Sequence, residues 1–208
     1  MNRGLNMIKN TSILKGLLKT LIFIFVCSFN VTSSFALDKP SSAVMIRVEQ
    51  MKVVVKQNKN KLTQEQLDKE LYRVVSPLFD FREMSRRSLG AKWKEASEEQ
   101  RVEFVDLFSD LLASNYIKKI RDNIEESSFT VASERNTSPK TSLVKTIVDY
   151  EGQKTSIDYR MRIKNNAWKV YDVIIENIGL VSNYRSEFGS IVDKHGVSGL
   201  IDKLRAKK

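Results

Sequence analysis

The sequence holds one cysteine (Cys27), one histidine (His195), three prolines and eight glycines in 208 residues. Each scarcity excludes something. A lone cysteine cannot close an intramolecular disulfide, and Cys27 sits in a segment expected to be removed, so thiol catalysis is excluded with it. One histidine and no second thiol leave no zinc site of the usual His/Cys type. Ser–His–Asp chemistry would need His195 as its base, and no G-x-S-x-G elbow occurs. There is no P-loop and no G-x-G-x-x-G loop to cradle phosphates. His195 precedes Gly196 in DKHGVSG, where a histidine in the last helical turn before a C′ glycine is explained by capping and the helix dipole. No Pro/Gly/Ser linker, repeat or low-complexity tract divides residues 37–208.

What is present begins with a charged, then greasy, front. Residues 1–36 carry Arg3, Lys9, Lys15 and Lys19 and no acid, then the run LIFIFVCSF (Leu21–Phe29), then Ser34-Phe35-Ala36. That order reads as a secretory signal peptide cleaved after Ala36. The run is short of the ~20 residues that span a bilayer. Val26 ahead of Cys27 is also not the small residue a lipoprotein cleavage site requires. The expected product is one exported domain over residues 37–208. Four of the 35 Lys+Arg leave with the leader, so against 25 Asp+Glu the net charge is +6. A moderately basic exported protein can be steered to anionic lipid headgroups or acidic partners, although dispersed lysines that only confer solubility fit equally well. Export argues against nucleic acid as a partner.

Helical spacing fills the first half of 37–208. Ser41–Gln57 places Val44, Ile46, Val48, Met51 and Val55 among charges. Thr63-x-x-Gln66 forms a capping box ahead of Leu67, Leu71, Val74 and Val75, and Ser97-x-x-Gln100 opens a longer helix with Phe104, Phe108, Leu111, Leu112 and Ile120 on one side. Between them FDFREMSRRSLGAKW (Phe79–Trp93) predicts a short helix closed by Gly90. From Phe129 the period becomes two: Ile157, Tyr159, Met161 and Ile163 alternate with Ser156, Asp158, Arg160 and Arg162. Turns around Gly152-Gln153 and at Asn165-Asn166 make an antiparallel meander of about four strands. Helical spacing returns after Gly179 with Leu180, Tyr184, Phe188 and Ile191. The class is α+β, a curved antiparallel sheet of about four strands with helices N- and C-terminal to it.

The strand Trp168–Glu176 is apolar at odd and even positions, which predicts cover on both faces. Burying that much apolar surface needs a dense core or a guest molecule. Asp172 is the one enzyme-like feature: a buried carboxylate beside Tyr159 and Tyr171 could abstract a proton. The plainer role is pairing with Arg160, Arg162 or Arg185, or bonding backbone at a sheet end, and it carries more weight because a buried acid usually needs only a partner.

Two signatures in this chain, FDF..M.R..LG..W within Ser76–Ile120 and W.VYDV..E...LV.NYR..F within Trp168–Val192, resemble the MlaC family, also called toluene-tolerance (Ttg-type) proteins. The resemblance extends over essentially all of 37–208. It departs at Asn177-Ile178-Gly179-Leu180, where relatives often have Gly-Val/Ile-Ser-Leu, and at Glu187, where Gln is common. It implies a carrier and no enzyme: a periplasmic phospholipid-binding protein whose sheet and helices enclose an apolar cavity. The implied partners are an inner-membrane ABC transporter complex with a membrane-anchored substrate-binding subunit, and an outer-membrane lipoprotein–porin complex that keeps the outer membrane asymmetric. The implied ligand is phospholipid, with no cofactor and no metal.

A carrier suits a chain poor in catalytic parts. Acyl burial yields ~0.8 kcal/mol per CH₂, on the order of 12 kcal/mol for a ~16-carbon tail, so a long apolar slot supplies the binding. Release favours a pliable lining of Met, Leu, Ile and aromatics. The candidate lining is Met84, then Phe104, Phe108, Leu112 and Tyr116 on the long helix. From the strands come Ile147, Tyr159, Met161, Tyr171, Val173 and Ile175, and from the last helix Tyr184 and Phe188. Each is equally well explained as ordinary core, because apolar periodicity does not separate core from cavity wall. Tyr184 and Arg185 are the polar handles expected nearest a headgroup. Competing readings are a carrier of another apolar lipid such as a hopanoid, a small periplasmic isomerase-like enzyme using Asp172, and a structural module with a solid core.

Overall fold

Helix α1, Pro40–Asn58, starts on a proline whose missing N–H would have no intrahelical partner anyway, and it buries Val44, Val48, Met51 and Val55. In this computed structural model residues 38–207 are described, and the leader expected over residues 1–36 lies outside them. Helices α2 (Gln64–Val75) and α4 (Glu98–Asn123) both open on the reciprocal capping boxes expected at Thr63/Gln66 and Ser97/Gln100. Between them run a 3₁₀ turn, Ser76–Leu78, helix α3, Phe81–Leu89, and a second 3₁₀ turn, Gly90–Lys94. Asp80 caps α3 by accepting from the Glu83 N–H, and Gly90 ends it at φ 59°, a left-handed conformation that suits glycine. Helix α5, Leu180–Arg205, is interrupted at Gly196 (φ 67°), the position expected for a C′ glycine.

The strands are β1 (Ser128–Ser138), β2 (Thr141–Tyr150), β3 (Gln153–Lys164), β4 (Ala167–Ile175) and β5 (Ile178–Gly179). They pair antiparallel in the order β1-β2-β3-β4-β5, so every strand lies beside its sequence neighbour. The fifth strand is an addition to the four expected, and at two residues it is too short to show a period. Consecutive strands are separated by Pro139-Lys140, Glu151-Gly152, Asn165-Asn166 and Glu176-Asn177. In the last three pairs both residues have positive φ, between 49° and 82°, the geometry that matches a right-handed strand twist. The fourth of these turns creates β5 and directs the chain into α5.

Strand β4 contains a bulge that changes how its sequence reads. Arg160 pairs with Asp172 and Met161 with Val170, which leaves Tyr171 unpaired. An extra residue reverses the alternation, so Trp168 and Val170 before it share a face with Val173 and Ile175 after it. Apolar residues at odd and even positions therefore serve one face. The other face carries Asp172, Arg160 and the Asp158–Lys145 pair, along with the half-buried Leu143, Ile147 and Ile174. It is mixed, and the two-sided apolar cover expected of this strand is replaced by one covered side and a phase shift.

Three apolar clusters hold the layers together. Phe104 and Phe108 of α4 meet Tyr184 and Phe188 of α5, with ring centroids 5.0–5.8 Å apart in stacked and edge-on contacts. A second cluster joins Val44 and Leu78 to Val144, Met161, Trp168, Val170 and Val173 on the sheet. The third ties α1 and α2 to α4 through Val48, Met51, Val55, Leu67, Leu71, Ile117 and Ile124. Charge fastens α3 to the sheet. Buried Asp80 accepts from Lys164 Nζ at 2.7 Å, and Arg162 Nη1 lies 3.3 Å from Glu83 Oε2.

Truncating Phe104, fully buried against Phe108 and Phe188 in the aromatic cluster, should cost about 3–5 kcal/mol in a denaturant titration of Phe104→Ala. Glu83 supplies a pH-dependent element. Burial disfavours its charge, but hydrogen bonds from Arg86 and Arg87 outweigh burial and bring its pKa from 4.5 down to about 2. A depressed carboxylate stabilises the fold above the unfolded pKa and loses that contribution as pH falls through the folded one. The stability gap between wild type and Glu83→Gln should therefore shrink as the pH of the denaturant titration is lowered from 4.5 to 2.

Candidate functional site

The clusters leave a cavity of about 520 Å³ between α1, α2, α4 and the covered face of the sheet. That volume lies within the ~300–1,000 Å³ of small-molecule sites. Its wall changes character along two independent elements. On β3 alternate residues face inward, and they run from Tyr159 and Ile157 through Thr155 to exposed Gln153. Three two-residue steps of a strand cover roughly 20 Å. On α4 the wall runs from buried Leu112 through Ala113 and Tyr116 to exposed Lys119 and then Asn123, roughly 16 Å of helix. Chain connectivity aligns the two gradients. Helix α4 ends beside the start of β1, where Ser128 pairs with Asp149 next to the β2–β3 turn. One end is thus built of Leu78, Phe79, Phe81, Met84 and Val173, the other of Lys119, Asn123, Tyr150 and Gln153. A slot of this length compares with one leaflet, half of a ~30 Å hydrocarbon core.

The polar groups of the wall are few. Tyr159 shows part of its ring to the cavity, while burial of its hydroxyl pushes the pKa up to about 12, opposed in part by a hydrogen bond with Thr146. It therefore stays protonated. Among the described residues Arg47 and Lys119 are the charged members of the wall, and no Asp or Glu belongs to it. Arg47 donates to Gln50 Oε1 at 2.6 Å. Among the described residues no group of His, Cys, Asp and Glu is arranged to hold a metal ion.

The structure distributes the sequence-predicted residues over several environments. Met84, Leu112, Tyr116, Tyr159, Val173 and Ile175 converge on the cavity. Phe104, Phe108, Tyr184 and Phe188 form the aromatic cluster between α4 and α5, outside the cavity wall. Met161 continues the Tyr159 face but is fully buried against Val144 and Val170. Ile147 alternates with the wall residue Val148 and so faces the opposite side of the sheet. Tyr171 lies in the bulge under the Arg87 guanidinium, 4.3 Å from its ring centroid. Arg185 Nε donates to the Arg87 carbonyl at 2.8 Å, capping the end of α3 beside Gly90. Tyr184 is buried and its Oη accepts from Asn115 Nδ2 at 2.9 Å. Neither Tyr184 nor Arg185 reaches the cavity's polar end.

Helices α1 and α2 contribute wall that went unassigned from sequence: Val44, Val48, Met51, Tyr72 and Val75. Their helical stripes were visible, but a stripe does not say whether it meets side chains or space. The polar end went unassigned for a different reason. Lys119 and Gln153 resemble ordinary surface residues until the topology places them at one opening.

Asp172 has two partners and both are structural. Its Oδ2 accepts from Arg160 at 3.2 Å, and its Oδ1 accepts from the Val181 N–H at 3.1 Å. It takes the place of an N-cap for α5, whose own N-cap residue, Gly179, has no side chain to offer. A Cβ at Gly179 would also come within 3.0 Å of Ser182 Oγ. Asp172 lies on the mixed face and Tyr159 on the cavity face, so they do not form an acid–base pair.

The family model described as MlaC protein matches residues 47–206. The chain belongs to the MlaC family. A relative named intermembrane phospholipid transport system binding protein MlaC, from Haemophilus influenzae, is 25% identical over 122 residues, 56% of each protein. The match therefore spans a little over half of that relative's length. A solved phospholipid-binding protein from Ralstonia solanacearum, in complex with a phospholipid, aligns with a TM-score of 0.73 at 23% identity. The alignment covers 81% of this chain and 96% of that one. At this identity the likeness establishes the MlaC-type α+β fold. Within it, the small residue Ala113 at mid-slot offers a way to close the cavity. Ala113→Trp should lower the uptake of an apolar fluorescent probe at least tenfold while thermal unfolding keeps its midpoint within a few degrees.

Proposed function

We propose that this chain is a periplasmic phospholipid carrier, exported by a leader cleaved after Ala36. In this reading it passes lipid between an inner-membrane ABC transporter complex, with its membrane-anchored substrate-binding subunit, and an outer-membrane lipoprotein–porin complex. The observation that carries the reading is the graded slot, apolar over most of its length and polar at one end, in a member of the MlaC family. Membership supports phospholipid as cargo, because the Haemophilus influenzae relative is named for phospholipid transport and the Ralstonia solanacearum structure holds a phospholipid.

The chemistry of the slot fits a carrier. Each CH₂ moved from water into the wall contributes ~0.8 kcal/mol, so affinity comes from contact area and needs no reacting group. Met51 and Met84, unbranched and polarizable, can follow a mobile chain. The few polar groups along the deep part of the slot leave little directional bonding to break on release. Separation of Asp172 from Tyr159 removes the arrangement on which an isomerase reading depended.

Purification of the exported protein from native envelope, followed by mass spectrometry of an organic extract, should recover phospholipid at about one molecule per chain. Absence of stoichiometric lipid, together with absence of apolar-probe binding, overturns the proposal. Recovery of a hopanoid in place of phospholipid overturns the cargo and keeps the carrier.

A further inference from the structure

We infer that the sheet face turned away from the slot, where β3 and β4 meet α3, is a docking surface for an acidic segment of a partner protein, with Arg86, Arg160 and Arg162 reading its carboxylates. The inference goes beyond the carrier reading. None of these residues walls the slot, so the surface is the same whatever the slot holds.

The observation behind it is a separation of charge by depth. Asp80, Glu83 and Asp172 form the lower layer, with side chains 2–9% exposed. Above them stand Arg86, Arg87, Arg160, Arg162 and Lys164, with side chains 36–51% exposed. Ion pairs run from Lys164 through Asp80, Arg162 and Glu83 to Arg86 and Arg87. Arg160, two residues from Arg162 on the same strand face, is held by Asp172. Arg185 joins through the Arg87 carbonyl, and Lys169, the cross-strand partner of Arg162, through the Pro77 carbonyl. Seven cations thus meet three carboxylates, a surplus of +4 within the net +6 of residues 37–208. Next along the face Asp158 is answered by Lys145 at 3.5 Å, and there the surplus ends.

Acids beneath and cations above hold each guanidinium by one edge and leave the positive layer outermost. Arg86 uses Nε and one Nη on Glu83, and Arg160 uses one Nη on Asp172. A guanidinium has five N–H donors in a rigid fork matched to a carboxylate, so donors remain for a ligand and their orientation is already set. The composition favours a protein over a lipid surface. Five of the seven cations are arginines, Tyr171 lies under Arg87, and half-buried Leu143 sits across from Arg160. Arginine and tyrosine are enriched at protein interfaces, where lysine is depleted. An element that settles on a bilayer inserts large apolar side chains. The exposed ones among the described residues, Ile46, Val53, Val102 and Ile178, lie on α1, α4 and β5, outside the patch.

The test uses the mature exported chain with three probes: a fluorescent peptide of alternating Glu and Ser, its Gln-Ser counterpart, and phosphatidylglycerol vesicles. Wild type should bind the Glu peptide and not the Gln peptide. Arg86→Gln combined with Arg160→Gln should weaken that binding about tenfold, as two part-exposed charge contacts support. Lys56→Gln combined with Lys61→Gln removes the same charge from exposed sites outside the patch and should leave binding within about twofold of wild type. Because Arg160→Gln takes a partner from buried Asp172, a second measurement uses wild type alone. Carbodiimide coupling of the Glu peptide should concentrate on Lys164 and Lys169 and spare Lys56 and Lys61. Equal weakening by the two double variants, coupling spread evenly over these lysines, or no binding of the Glu peptide overturns the docking surface. Vesicle binding that the patch variant alone abolishes, with Glu-peptide binding unchanged, overturns the protein partner and assigns the face to a lipid surface. The lipid recovered from the slot is read separately, so none of these outcomes touches the carrier reading.

Discussion

Holding about 520 Å³ of apolar space open is the constraint on which the rest of this structure depends. An unfilled cavity costs ~24 cal/mol per Å³, on the order of 10 kcal/mol at this size. That is comparable with the whole net stability of a domain, about 5–15 kcal/mol. The wall therefore cannot be held by contacts across the void. Each wall element is instead anchored on its far side. Helix α4 is gripped by α5 through the rings of Phe104, Phe108, Tyr184 and Phe188. Helix α1 is held by α2 and by α4 through Leu71 and Ile117, and the sheet is fixed to α3 by the Asp80 and Glu83 ion pairs.

This arrangement explains how an apolar guest can be both bound and released. Filling the slot recovers contacts the empty wall lacks, while the anchors on the far side stay as they are. The depth of the slot offers apolar contact area, and its polar end offers only a few groups to bond. Asp172, for which the sequence offered a base and, with more weight, a structural partner, takes no part in the slot. It joins β4 to the start of α5 and so sets where the aromatic side of α5 begins.

Much of the fold was legible because its signals are local. The capping boxes at Thr63 and Ser97, the breaks at Gly90 and Gly196, and the Asn165-Asn166 turn all appear where the residues placed them. What could not be read depends on phase and on void. The bulge at Tyr171 is a missing pairing, and sequence shows only its trace, apolar residues at both parities. Phe108 and Leu112 stand one turn apart on the same stripe, yet one fills the aromatic core and the other borders the cavity. No property of the side chains distinguishes them; only the distance to the opposite layer does. The same holds for Lys119 and Lys118, adjacent cations that differ solely in which way the helix turns them.

The four two-residue connections of the sheet bear on how the slot is assembled. Each strand can zip onto its predecessor with minimal loop closure, a step of about 1–10 μs for a hairpin. The N-terminal helices have no such local route. Ser41 N–H must reach Glu134 across 93 positions, and Phe79 must bridge to Val170. Such distant pairings are the slow ones, since loop entropy is lost before contacts reward it. In chain order, α1, α2 and α4 precede the strands that cover them, so their greasy stripes are formed before their roof is. Until the sheet closes over them, the stripes that will line the slot face solvent, which makes this the aggregation-prone interval of the fold.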